Sequence, residues 1–149
     1  MDKLPFSPWY LLFAAIVIGA ILAAGWMEMR QADRNAIRKR KMREALESFR
    51  IVRKYTREDG STEQFLYSAE NAKRLVELEN EIAKHGHGSA SWLFFMPERR
   101  LFFIFELVAI EPQGELHFIQ TLHPIKPDRA KQVLTRYPDL FREIFREDI

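Results

Sequence analysis

From residue 9 to residue 27 the chain reads WYLLFAAIVIGAILAAGWM, and no charged side chain falls between Lys3 and Glu28. An uncharged run of that length is the signature of a helix long enough to span a bilayer, and it constrains this chain more than any other feature. The segments after it must be read as a domain tethered to that helix.

The start of the run fits a helix. Ser7 supplies a hydroxyl N-cap and Pro8 occupies the first helical position. Trp9 and Tyr10 lie at one end and Trp26 at the other, about 25 Å apart at 1.5 Å per residue, so both ends reach headgroup level. A cleaved signal peptide is the competing reading, with Ala23 and Gly25 as the small residues before the cut. The apolar run is too long for it, and Asp2 offsets the basic Lys3.

Basic residues set the orientation. Arg30, Arg34, Arg38, Lys39, Arg40, Lys41 and Arg43 follow the run, against a lone Lys3 before it. Lysine and arginine beside a span stay on the cytoplasmic side, so the N-terminus is expected outside and the rest of the chain in the cytoplasm, at the inner (cell) membrane. The same seven side chains are the expected contacts for anionic lipid headgroups. Within the run, Ala15, Gly19 and Ala23 recur at four-residue spacing, which lets a second helix approach closely; alanine is also simply common in spanning helices.

The whole chain has 23 lysines and arginines against 21 acidic residues, a net charge of +2. Between residues 28 and 50 eight basic residues face four acidic ones, whereas from 51 onward fourteen face sixteen. The basic character therefore belongs to the segment beside the membrane, which favours anionic lipid over nucleic acid as its partner. The sequence contains no cysteine, which removes disulfides, thiolate metal sites and cysteine catalysis.

The expected organisation is a short tail over 1–7, a transmembrane helix over 8–27, a basic helical stalk over 28–49 and a soluble domain over 50–149. In the domain, Asp59-Gly60 between the runs 50–55 and 63–67 signals a hairpin. Ser68 reads as the cap of a helix over 68–85, with Ala69, Ala72, Leu75, Val76, Leu78 and Ile82 at helical spacing and Gly86 as the stop. Strands follow over 91–96, 101–110 and 115–122, joined by turns rich in proline and glycine, with Pro124 and Pro127 ending the sheet region. Two short helices, 128–137 and 139–145, close the chain around Pro138.

The order is β-β-α-β-β-β-α-α, and a five-stranded antiparallel sheet with flanking helices is the expected packing, an α+β domain. That element order resembles the longin/profilin-like topology, and more loosely PAS domains. The resemblance lies in element order alone and implies no activity.

Both faces of the expected sheet are apolar. Trp92, Phe94 and Met96 share one face with Phe103, Phe105, Leu107, Leu116, Phe118 and Leu122. Leu93, Phe95, Phe102, Ile104, Val108 and Ile119 form the other, which is nearly as apolar and is a candidate partner-binding face. An antiparallel sheet with one wet face would alternate instead. Either the chain's own helices cover both faces, or a copy of itself or another membrane protein covers one.

Chemistry-bearing residues are sparse. Glu106 with His117 on the neighbouring strand is a conceivable acid–base pair, and His85-Gly86-His87 with His117 or His123 a conceivable metal site, but neither has diagnostic spacing. No catalytic, cofactor or metal residue is assigned, and the chain does not read as an enzyme. The leading expectation is a membrane-anchored accessory or scaffolding subunit whose domain binds a protein. The alternatives are a PAS-like sensory domain with a small-molecule pocket lined by the sheet aromatics, and a membrane-tethered hydrolase or metal-binding protein.

Overall fold

Helix α1 (Pro8–Ser48) is one continuous element in the computed structural model, which describes residues 7–146. The expected tail up to residue 6, with Lys3, and residues 147–149 lie outside the described residues. The N-cap forms as the sequence suggests: Trp9 N–H donates to Ser7 Oγ at 3.4 Å and Tyr10 N–H to Ser7 O at 2.9 Å. Beyond Gly25 no glycine or proline interrupts the helix.

The chain forms two compact units, the first ending at Ile37 and the second beginning at Arg38. The stretch 28–49 is therefore not a stalk throughout. Residues 28–37 are exposed, but Met42 and Leu46 are buried, as is Phe49 just beyond the helix. Their three- and four-residue spacing puts them on one helical face, and that face belongs to the core of the second unit.

The hairpin forms. Strand β1 (Arg50–Thr56) pairs antiparallel with β2 (Thr62–Ser68), with Ile51 opposite Tyr67 and Val52 opposite Leu66. Gly60 takes φ +82° at the turn. Asp59 Oδ1 accepts the Ser61 N–H at 2.9 Å and the Ser61 hydroxyl at 2.5 Å, and these bonds hold its carboxyl below the usual carboxylate range. This two-stranded sheet is separate from the main one.

The helix expected over 68–85 does not form. Ser68 ends β2, its N–H donating to Asn71 Oδ1 at 3.0 Å, while Asn71 Nδ2 donates back to Leu66 O at 2.9 Å. A strand follows, β3 (Lys73–Asn80), and only the single turn α2 (Glu81–His85) is helical. The reason lies in β3's pairing with β4 (Ser89–Met96), whose register shifts between Arg74 and Val76 and again between Glu77 and Glu79. The bulges break the strict alternation, so the adjacent Leu75 and Val76 pack into one cluster, whereas Ala69, Ala72 and Ile82, which complete the helix-like spacing, lie outside the strand and pack into the other.

Strand β4 pairs with β5 (Leu101–Ile110), and β5 with β6 (His117–Ile125), giving a four-stranded antiparallel sheet in the order β3-β4-β5-β6. The sheet thus has four strands beside a separate hairpin rather than five, and the likeness to longin, profilin or PAS order lapses with the missing central helix. Strand β6 starts at His117, leaving Leu116 before it, and continues through Pro124. It is an edge strand, where a residue without an N–H is tolerated. Arg53 Nη2 donates to Leu122 O at 2.6 Å and Lys41 Nζ to Leu116 O at 2.9 Å, so basic side chains occupy carbonyls along that side.

Each face of the sheet has its own cover. On the first, Ala90, Trp92, Phe94, Met96, Phe103, Phe105, Leu107 and Leu122 pack against Met42, Leu46, Phe49, Tyr67 and Ile82. Phe49 stacks on Phe105 at 4.3 Å between ring centroids and meets Phe94 edge-on at 5.2 Å. Trp92 Nε1 donates to Glu77 Oε2 at 3.2 Å, and the Tyr55 and Tyr67 hydroxyls bond at 2.8 Å; burial, then the Tyr55 hydroxyl, raises the Tyr67 phenol pKa. On the second face, α3 (Pro127–Leu134) and α4 (Pro138–Phe145) place Ala130, Leu134, Phe141 and Ile144 against Val76, Leu93, Phe95 and Phe102.

Gly86 closes α2 at φ +81°, its N–H donating to Ile82 O at 2.9 Å, and the Arg38 guanidinium packs where a side chain would grow. Gly86→Ala should cost about 1–2 kcal/mol, because an L-residue is strained in that conformation. Denaturant unfolding checks this, and most of the cost should persist in an Arg38→Ala background, where the crowding is gone. A neutral Gly86→Ala would refute the assignment.

Candidate functional site

Three places in the structure carry the residues singled out from the sequence: the exposed length of α1, its basic segment, and the second face of the sheet.

Through its apolar window α1 has no buried residue. Ala15, Gly19 and Ala23 lie in this exposed stretch, and a Cβ built on Gly19 meets nothing within 4 Å. Trp9, Tyr10 and Trp26, at the two ends of the run, are all exposed. A helix that buried its apolar side chains in a core would show the opposite pattern.

The seven basic residues divide by environment. Arg38 and Lys41 are partly buried and serve the domain, Arg38 against Gly86 and Lys41 through Leu116 O. Arg40 lies 3.7 Å from Glu44 in an exposed i,i+4 pair. Arg30, Arg34, Lys39 and Arg43 are exposed, and the Arg30 guanidinium lies over the Trp26 ring, 3.7 Å from its centroid. Of the seven side chains expected at headgroups, Arg38 and Lys41 are drawn onto the domain.

The candidate partner-binding face is likewise only partly open. Leu93, Phe95 and Phe102 are buried beneath α3 and α4, and Ile104 packs against the same cluster. The covering helices both begin with proline at the first or second position, and α4 presents Phe141 and Ile144 inward. At the other end of this face Val108 stands opposite Ile119 and Ile110 opposite His117. Ile119 is 48% exposed and Ile110 38%. These three residues were only partly foreseen: Ile110 is absent from the expected set, although its two-residue step from Val108 could have placed it there.

Glu106 borders this patch. The register sets Thr121 opposite Glu106, and His123 Nε2 lies 3.4 Å from Glu106 Oε2. The expected Glu106–His117 pairing is not made: His117 stands across from Ile110, its Nε2 3.6 Å from Glu115 Oε2. The His85 and His87 rings stack at 6.0 Å, and among the described residues no three or more His, Cys, Asp or Glu side chains converge on a metal position. The aromatics expected to line a ligand pocket are packed on one another and on Phe49. A shallow groove of about 300 Å³ runs beside β3, lined by Glu77, Leu78, Gln132, Val133, Arg136 and Tyr137.

Comparison with protein-family models, with curated proteins and with solved structures finds no match to this chain. What the fold and these surfaces define is a class by architecture: an α+β domain preceded by an exposed apolar helix long enough to cross a membrane.

Proposed function

We propose that this protein is a single-pass membrane protein, with its N-terminus outside and its α+β domain in the cytoplasm, where the domain binds a protein partner as an accessory or scaffolding subunit. The observation that carries the reading is the apolar window of α1, exposed along its whole length and bounded by Trp9, Tyr10 and Trp26. About 1.5–3 kcal/mol per large apolar side chain disfavours leaving such a helix in water. The basic excess between residues 28 and 50 supports the orientation.

The partner surface in this reading is the Val108–Ile110–Ile119 patch, the open remainder of the second sheet face. Glu106 and His123 give it a polar rim.

A reporter fused after Ile149 should be active only in the cytoplasm, and the membrane-bound chain should have the mass of the uncleaved sequence. Activity outside the cytoplasm, or a mature chain beginning near Trp26, would overturn the anchoring. For the partner, affinity purification from solubilised membranes should recover a stoichiometric protein that Ile119→Asp loses, because an unpaired carboxylate at the centre of an interface costs several kcal/mol. Equal recovery with Ile119→Asp would sink the proposed surface.

A further inference from the structure

We infer that Trp26, Arg30 and Arg34 form a binding site for the phosphate of an anionic phospholipid, on one ridge of α1. The inference rests on the membrane-anchoring reading above and adds a ligand class to it.

The three residues stand at i, i+4 and i+8, so they line one side of the helix, rising about 6 Å from each to the next. Helical side chains lean towards the N-terminus, here towards the apolar run. That lean brings the Arg30 guanidinium over the Trp26 ring at 3.7 Å. The indole takes one flat face of the guanidinium, and the N–H donors in its plane stay free for an acceptor. Arg34, one turn further on, is exposed.

The Arg30 guanidinium, held at the level of the last tryptophan of the apolar run, falls within the headgroup layer, which extends about 5–8 Å beyond the hydrocarbon, and Arg34, which starts about 12 Å past Trp26, reaches that layer by extending its side chain back towards the run. The acceptor at that level is a phosphodiester, and the guanidinium fork matches its oxygens. Asp33 is the nearest acidic residue along the chain and leaves the ridge net positive; Glu28 lies about 160° round the helix from Arg30. Of the remaining basic side chains, Arg38 and Lys41 serve the domain and Arg40 faces Glu44, while Lys39 and Arg43, though exposed, start about 20 and 26 Å along the helix from Trp26.

The test is native mass spectrometry of the full-length chain released from detergent micelles holding equal amounts of phosphatidylglycerol and phosphatidylcholine with the same acyl chains. At about 5-fold for each arginine near the surface, the wild type should retain phosphatidylglycerol about 25-fold over phosphatidylcholine. Arg30→Ala/Arg34→Ala should bring the ratio near one, whereas Lys39→Ala/Arg43→Ala, which removes the same charge, should leave it within about twofold of wild type. Equal losses in both double variants would show a diffuse charge effect and overturn the site. Displacement of the lipid by millimolar inorganic phosphate would also overturn it, because the ridge would then read a free anion rather than a lipid. Alkaline extraction of membranes separates the two levels: a chain that resists extraction yet shows no lipid preference refutes the site alone. A chain that is extracted refutes the anchoring reading, and the site falls with it.

Discussion

Val17→Asp combined with Ile21→Asp should move the protein from the membrane pellet to the soluble fraction after alkaline extraction. Both positions are near the middle of the apolar run, one turn apart on the same side of α1. A carboxylate at the centre of a spanning helix costs about 2.5–3.5 kcal/mol, so the pair opposes insertion by about 5–7 kcal/mol. Aspartate is the stringent choice, because a long arginine side chain would snorkel to the interface and recover part of that cost. The same pair placed in a helix already exposed to water would cost only a few tenths of a kcal/mol. Unchanged pelleting of the double variant would therefore remove the basis for a transmembrane α1.

Phe49→Ala should be the most damaging single truncation in the domain, lowering its stability by about 3–5 kcal/mol in denaturant unfolding of the full chain in detergent. Phe49 is 1% exposed and sits between α1 and β1. Its ring meets Phe105 at 4.3 Å, Phe94 at 5.2 Å and Phe103 at 6.1 Å, and its carbonyl accepts the Ala69 N–H at 3.1 Å. Truncation opens a cavity against three aromatic rings belonging to two strands that are already fixed by pairing, so the site collapses poorly. Val52→Ala, on the hairpin's outer face at 56% exposure, should change stability by no more than about 0.5 kcal/mol. Trp92, buried and bonded to Glu77, reports the transition by fluorescence. A Phe49→Ala variant as stable as Val52→Ala would show that the Phe49 ring contributes nothing to the core.

The legible parts of this chain were those governed by near neighbours. Ser7 and Pro8 start α1, the absence of helix breakers past Gly25 lets it continue, and Asp59-Gly60-Ser61 makes its turn with its own side chains. The alternation on β4 and β5 was legible for the same reason: adjacent strands joined by short turns leave little freedom of register, so Trp92 and Phe94 share a face with Phe103 and Phe105 as expected, and the register sets Trp92 opposite Phe105 and Phe94 opposite Phe103. The Glu106 partner was missed because the connection from β5 to β6 holds a single 3₁₀ turn at Pro112–Gly114, with Gln113 at φ +57°, before β6 begins at His117. That turn sets the register, and it brings His123 rather than His117 to the carboxylate.

By itself the sequence determined the apolar helix, the hairpin and the presence of two apolar sheet faces, because these follow from bonds and side-chain periods within a few residues. Only the tertiary structure decided that 73–80 is a strand, since its bulged pairing is with β4 and not with itself. It also decided which apolar surface stays open. α3 and α4 return from the end of the chain to cover Leu93, Phe95 and Phe102 and stop short of Ile119, and the extent of such a cover depends on helix placement that no local pattern records.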